Sequence, residues 1–157
     1  MKADYLFVPA CEADIDQLAA LEVDLFHTDR CSRKTFRYLI RHAQVVVIKR
    51  PGDTEIFGYA ILLGRKNSRK MRIYSFGIAA AARGNGLAGR LLEVLEDIVR
   101  AKKCSMLTLE VSDSNVAAIG LYKKHGFAQC GFRFGYYEDG GHAILMRKTL
   151  DETRNRQ

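Results

Sequence analysis

The stretch at residues 83–96, RGNGLAGRLLEVLE, places three glycines just ahead of an apolar repeat at helical spacing. A glycine-rich turn entering a helix leaves backbone N–H groups without intrahelical partners, and the helix dipole adds partial positive charge. Such a turn holds anions, phosphates above all. Three phosphate motifs compete for the same letters. Gly84, Gly86 and Gly89 spell G-x-G-x-x-G, the dinucleotide pattern, and residues 84–90 nearly spell a triphosphate loop. Arg83, Gly86 and Ala88 spell R-x-x-G-x-A, which holds a different pyrophosphate. The plain structural alternative is a tight turn with no ligand.

The triphosphate loop fails on chemistry. It needs Lys and then Ser or Thr after its last glycine, the hydroxyl serving magnesium, where this chain has Arg90 and Leu91. The dinucleotide reading has an acid, Glu110, at a suitable distance. Position argues against it: Ala79–Ala82 and Arg83 separate the preceding strand from Gly84, and too few residues follow Glu110 for a six-stranded nucleotide fold. R-x-x-G-x-A is the better frame, with Gly89 a small residue one turn into the helix.

The elements that must position this turn follow from periodicity. Tyr5–Val8 reads as a short strand. Asp14 and Gln17 offer a capping box for a first helix carrying Ile15, Leu18, Leu21, Val23 and Leu25. Ser32 caps a second, with Phe36, Leu39 and Ile40 on one face. Residues 45–49 and 56–64, joined through Pro51-Gly52-Asp53, form a hairpin that 71–78 extends. The turn then opens a helix with Leu87, Leu91, Val94, Leu95 and Ile98 in phase. Residues 106–111 are a strand, 115–124 a helix ended by Gly126, and 127–137 and 143–149 two closing strands.

The chain of 157 residues has the size of one domain. Its net charge of +7 favours anionic partners, a phosphorylated cofactor, an acidic peptide or RNA, but the basic residues are spread along the chain. Cys11, Cys31, Cys104 and Cys130 form no C-x-x-C pair, and His27, His42, His125 and His142 lack ligand spacing, so no metal site is expected. No run approaches a membrane span, and the N-terminus does not read as a signal peptide. A reduced, cytoplasmic setting is the expectation.

Downstream of the turn, LEVSDSNVAAIGLYKKHGF carries Glu110, Asn115, Ala118, Leu121, Tyr122, Gly126 and Phe127. With the turn, this stretch resembles the GNAT superfamily of acetyl-CoA-dependent N-acetyltransferases. It looks most like the RimI type, which acetylates the N-terminal alanine of a ribosomal protein. The family pattern L-E-V-R-x-x-N-x-x-A-x-x-L-Y-x-x-x-G-F is followed by a Y-Y pair and an A-x-x-M strand, matched here by Tyr136-Tyr137 and by Ala143 with Met146. The resemblance runs from about residue 55 onward and is weaker before it. Three positions depart from the pattern. Asn85 stands where a second basic residue is common, Ala80–Ala82 replace a proline, and Ser112 replaces the arginine after E-V. The first two remove no backbone donor; Ser112 puts the substrate in question.

The resemblance implies an α/β fold: a single GNAT-like domain over residues 1–150, a central mixed, mostly antiparallel sheet flanked by helices, and a basic, frayed tail at 151–157. It implies that Ile78, Arg83, Gly84, Asn85, Gly86, Leu87 and Ala88 bind acetyl-CoA, the strand around Ile78 holding the thioester oxygen through backbone N–H groups. Asn115 reads first as a helix N-cap and second as a cofactor contact. Glu110 is the expected general base, through water, because a carboxylate of ordinary pKa ~4.3 is a weak base. Tyr122 is the expected proton donor to the leaving thiolate. Without the resemblance, Glu110 reads equally as a surface carboxylate and Tyr122 as a packed aromatic. Tyr136 and Tyr137 flank the expected peptide entry, or are exposed strand aromatics, and Phe26 is the acceptor-side candidate within residues 20–40.

Magnitudes favour one class of amine. At neutral pH a peptide α-amino group of pKa ~7.7–8.0 costs about 1 kcal/mol to deprotonate, whereas lysine near ~10.4 costs about 4–5 kcal/mol. A single carboxylate with water manages the first more readily. The expected partner is therefore a protein or peptide N-terminus, possible ribosomal proteins included. Acetylation of a small amine or polyamine on the same fold is one alternative. A basic RNA- or ribosome-binding module without chemistry is another.

Overall fold

Val45, Val46, Val47 and Ile48 form an unbroken β-branched run, and all four are buried, as a strand covered on both faces requires. In the computed structural model, which describes residues 4–150, they lie in β2 (Gln44–Lys49). This strand pairs antiparallel with β1 (Leu6–Pro9) and β3 (Gly58–Gly64). The remaining strands are β4 (Lys70–Ile78), β5 (Met106–Ser112), β6 (Ala128–Arg133) and β7 (Ala143–Thr149). The seven form one sheet in the order β1-β2-β3-β4-β5-β7-β6. Four helices accompany it: α1 (Ile15–Leu25), α2 (Arg33–His42), α3 (Leu87–Ala101) and α4 (Val116–Lys124). The expected α/β class and mixed sheet are present. The expected basic tail, 151–157, lies outside the described residues.

The described residues up to Leu62, together with Tyr74–Leu91, form one compact unit. Within it the Pro51-Gly52 turn holds through the Asp53 N–H to Arg50 carbonyl bond of 3.0 Å, with Gly52 at φ +74°. The expected capping box does not form. Gln17 reaches away from its helix, donating to the Thr54 carbonyl at 2.7 Å and accepting from the Ile56 N–H at 3.0 Å. β3 starts at Gly58 rather than at residue 56. Asp14 is buried and serves the chain before α1, accepting from the Cys11 N–H at 2.9 Å and from Lys49 Nζ at 2.8 Å. Burial alone would raise its pKa; the bonds to Lys49 and Cys11 outweigh this and hold the carboxyl below its usual value. Ser32 does cap α2, accepting from the Thr35 N–H at 3.1 Å.

Leu63–Ile73, with the described residues from Leu92 on, form a second unit. Here β5 pairs parallel with β4 over 70–73 and 106–109, and antiparallel with β7, which carries β6 on its other edge. Leu107, Leu109 and Val111 of β5 are buried while Thr108, Glu110 and Ser112 lie on the opposite face. Asn115 caps α4, accepting from the Ala118 N–H at 3.1 Å, and Gly126 follows the helix at φ +94°. The stripe of α3 differs from expectation: Leu87, Leu91, Leu92, Leu95 and Val99 are the buried apolar positions, while Val94 and Ile98 sit at its margin.

β6 stops at Arg133, so the expected strand over 127–137 is shortened. Gly135 at φ +59° and Gly140 at φ +85° turn the chain, and Tyr136 and Tyr137 lie in the connection to β7. Their loop is closed by the Tyr137 N–H to Gly141 carbonyl bond of 3.1 Å and the Gly135 N–H to His142 Nδ1 bond of 2.9 Å.

Candidate active site

The glycine turn is built from backbone. Ala80–Ala82 make one 3-10 turn after β4, and Arg83 leaves it extended and exposed. Gly84 and Gly86 then adopt φ of +83° and +69°, the left-handed region that glycine enters without penalty. A Cβ at either position would meet nothing within 4 Å, so the constraint is on backbone conformation alone. The first helical bond of α3 runs from the Arg90 N–H to the Gly86 carbonyl at 3.2 Å. The N–H groups of Leu87, Ala88 and Gly89 therefore precede the ladder. Leu87 buries its side chain in the core while its amide stays at the helix mouth. Asn85 turns inward, donating Nδ2 to the Ala82 carbonyl at 2.9 Å, so it braces the turn. Arg90 lies over the Phe7 ring at 4.9 Å. Ile78 is the last residue of β4, and the next amide, Ala79, donates to the Phe57 carbonyl at 2.8 Å. This arrangement fits a pyrophosphate: backbone donors at a helix N-terminus with no side chain filling the cradle.

Phe26, also in this unit, follows α1 and is half-buried. Its N–H donates to the Glu22 carbonyl at 2.9 Å, and its carbonyl accepts from Arg30 Nε at 2.6 Å. The Glu22 side chain is 2% exposed and carries three hydrogen bonds. Oε1 accepts from the Tyr59 hydroxyl and from Ser75 Oγ at 2.9 Å, and Oε2 from the Cys31 N–H at 2.8 Å. Burial first, and the Glu22 charge second, raise the pKa of Tyr59 well above the usual phenol value and push the Cys31 thiol to about 12.

In the second unit, side chains make the arrangement. Glu110 projects from β5 with its side chain 18% exposed, and Oε2 accepts from Arg72 Nε at 2.8 Å. Arg72 Nη2 donates to the Tyr136 hydroxyl at 2.9 Å, and the Tyr136 and Tyr137 rings meet edge to face at 5.0 Å. Tyr122 is 7% exposed, edge-on to Phe127 at 5.6 Å. Burial first, and Tyr137 second, raise its pKa, so its hydroxyl keeps its proton across the neutral range. Four expected residues, Glu110, Tyr122, Tyr136 and Tyr137, are thus linked by contacts or electrostatics within one unit. Asn115 is exposed and acts as the helix cap. Ser112 bonds locally, its Oγ 2.8 Å from Ser114 Oγ.

Sequence reasoning missed Arg72 and Glu22. A signal for Arg72 existed: it is the one charged residue inside the run MRIYSFGI. In register it pairs with Thr108, which shares the Glu110 face of β5. Glu22 gave none, because an acid in an imperfect helical stripe reads as solvent-facing. Among the described residues, no group of three or more His, Cys, Asp or Glu side chains could hold a metal ion. No described helix is long and apolar enough to cross a membrane.

Comparison with known proteins places the chain. The model of the acetyltransferase (GNAT) family matches residues 13–127. The chain is 35% identical over 141 residues to the N-alpha-acetyltransferase RimI of Mycobacterium tuberculosis, covering 87% of each. It is 30% identical over 98 residues to the streptothricin acetyltransferase of Streptomyces lavendulae, covering 60% of this chain and 52% of that one. The fold superposes on the crystal structure of the ribosomal-protein-S18-alanine N-acetyltransferase from Escherichia coli with a TM-score of 0.81 at 24% identity, over 98% of this chain and 99% of that one. The family match spans most of the chain and the mycobacterial relative nearly all of it, so the chain belongs to the GNAT family and is an acetyl-CoA-dependent N-acetyltransferase.

Proposed function

We propose that this enzyme acetylates the N-terminal α-amino group of a protein or peptide in the cytoplasm, with Glu110 as general base and Tyr122 as general acid. The observation that carries the reading is the state of Glu110: one carboxylate oxygen is engaged by Arg72, and Oε1 has no protein partner among the described residues. Similarity over most of the chain to an N-alpha-acetyltransferase supports the acceptor class. Ribosomal proteins are the first acceptors to try.

Acetyl-CoA, when bound, supplies a thioester whose carbonyl carbon accepts the amine and whose sulfur departs as the thiol. The amides at the head of α3, with Arg83, Gly84, Gly86 and Ala88 around them, hold its pyrophosphate, and backbone N–H groups near Ile78 hold the carbonyl oxygen. Asn85 braces that turn, Leu87 anchors it in the core and Asn115 fixes the start of α4. As the N–C bond forms, Glu110 takes the proton leaving the nitrogen, by way of water. As the C–S bond breaks, the Tyr122 hydroxyl gives its proton to the thiolate and is reprotonated before the next turnover. Tyr136 and Tyr137 border the peptide, and Phe26 contributes on the acceptor side.

A second reading, acetylation of a small amine, is favoured by the similarity to streptothricin acetyltransferase. Incubation with acetyl-CoA and a panel of peptides and small amines, with mass-spectrometric localisation of the product, separates the two. Acetyl on a peptide α-nitrogen is expected; acetyl only on lysine Nζ or on small amines overturns the proposal.

A further inference from the structure

Glu110 and Tyr136 are far apart in sequence and meet through one residue that nothing in the family pattern singles out. We infer that Arg72 is a positioning residue that holds the catalytic carboxylate and the peptide-bordering Tyr136 in a single clamp; this rests on the reading of Glu110 as the base. Two bonds leave the same guanidinium, Nε to Glu110 Oε2 at 2.8 Å and Nη2 to the Tyr136 hydroxyl at 2.9 Å. A planar guanidinium fixes the angle between its donors, so orienting one partner orients the other. An ammonium is a single point and cannot span the two in that geometry.

Placement on the sheet makes the clamp firm. Arg72 lies in the stretch where β4 and β5 are laddered, paired with Thr108. Glu110 is two residues further along on the same face of β5 and is paired on its other side with Leu145 of β7. Both backbones are therefore fixed by the sheet. Tyr136 is different: it sits in a loop between two left-handed glycines, and its ring is 38% exposed. Arg72 ties that loop residue to the sheet.

The clamp also divides the carboxylate. The guanidinium occupies Oε2 and leaves Oε1 for the water that carries the proton. Partial burial of the cation costs desolvation, which Glu110 and Tyr136 offset. On its face of β4 Arg72 is flanked by the exposed Lys70 and Tyr74, while Met71 and Ile73 point to the buried face.

The test is a set of variants read by steady-state kinetics, with melting temperature as a check on folding. Arg72→Gln is expected to lower kcat about tenfold or more, because the base loses its fixed orientation. It should also raise the peptide KM roughly fivefold, the worth of one hydrogen bond, and leave the acetyl-CoA KM unchanged. Arg72→Lys keeps a charge beside Glu110 and is expected to recover most of kcat while the peptide KM stays high. Tyr136→Phe should raise the peptide KM alone. In a Glu110→Gln background, Arg72→Gln should lower kcat little further, since the two act as one unit. The clamp is overturned if Arg72→Gln leaves kcat and peptide KM at wild-type values, or lowers kcat equally with and without Glu110. Full turnover in Glu110→Gln would overturn the base assignment and the clamp with it. A slow Glu110→Gln enzyme with an unaffected Arg72→Gln enzyme overturns the clamp alone.

Discussion

The glycine turn at 83–89 and the Arg72–Glu110–Tyr136 cluster are built on opposite principles. In the turn, the proposed function lies in the backbone: amides ahead of the α3 ladder and two glycines at positive φ. Two of its side chains give support, Leu87 in the core and Asn85 folded back onto Ala82. In the cluster the backbones of Arg72 and Glu110 are engaged in the sheet ladder, Tyr136 comes from a loop, and the contacts that join the three run between side chains. Backbone sites tolerate side-chain change and fail when the chain path is disturbed. Side-chain sites fail at single atoms.

Four substitutions probe that contrast, from large effects to small. Glu110→Gln changes one atom of the cluster and is expected to lower kcat about 10²-fold or more, with acetyl-CoA affinity unchanged in a thermal-shift titration. A matching loss of cofactor affinity would dissolve the distinction. Gly86→Ala meets no steric obstacle, yet forces an L-residue into a left-handed conformation at a cost of about 1–2 kcal/mol. Its acetyl-CoA KM is expected to rise roughly tenfold with kcat at saturation preserved; a selective fall in kcat would show that the turn does more than bind. Asn115→Ala removes a cap worth about 1 kcal/mol and should lower the melting temperature by about 2–4 °C. A changed acetyl-CoA KM in that variant would promote the exposed Asn115 from cap to cofactor contact. Arg83→Ala deletes an exposed charge worth about 0.2–1 kcal/mol. It should raise the acetyl-CoA KM by no more than roughly fivefold and flatten its dependence on salt.

The same contrast explains what could be read from the sequence. The turn was legible because its determinants are local: glycine where φ is positive, a helical apolar period behind it, and a distinctive spacing to Asn115 and Tyr122. Ser32 and Asn115 were legible as caps for the same reason. Tyr136 and Tyr137 were misplaced in a strand, since aromatic content favours β structure while Gly135 and Gly140 decide otherwise. The Asp14–Gln17 box failed because tertiary partners compete for both side chains, Lys49 and Cys11 for the one, residues 54 and 56 for the other. Arg72 required knowing the parallel register of β4 on β5, which no local pattern encodes.

Glu22 carries a consequence for the segment that follows α1. Its carbonyl fastens the amide of Phe26, and its carboxylate fastens the amide of Cys31. A single residue thus closes both ends of the segment between them, while Tyr59 and Ser75 anchor that residue to the strands. His27, Thr28, Asp29 and Arg30 form an insert on a fixed frame. Within it Arg30 folds back onto the end of α1, its Nε donating to the Phe26 carbonyl at 2.6 Å. Changes at Glu22, Tyr59 or Ser75 would release the frame itself, whereas changes inside that four-residue window would leave it closed.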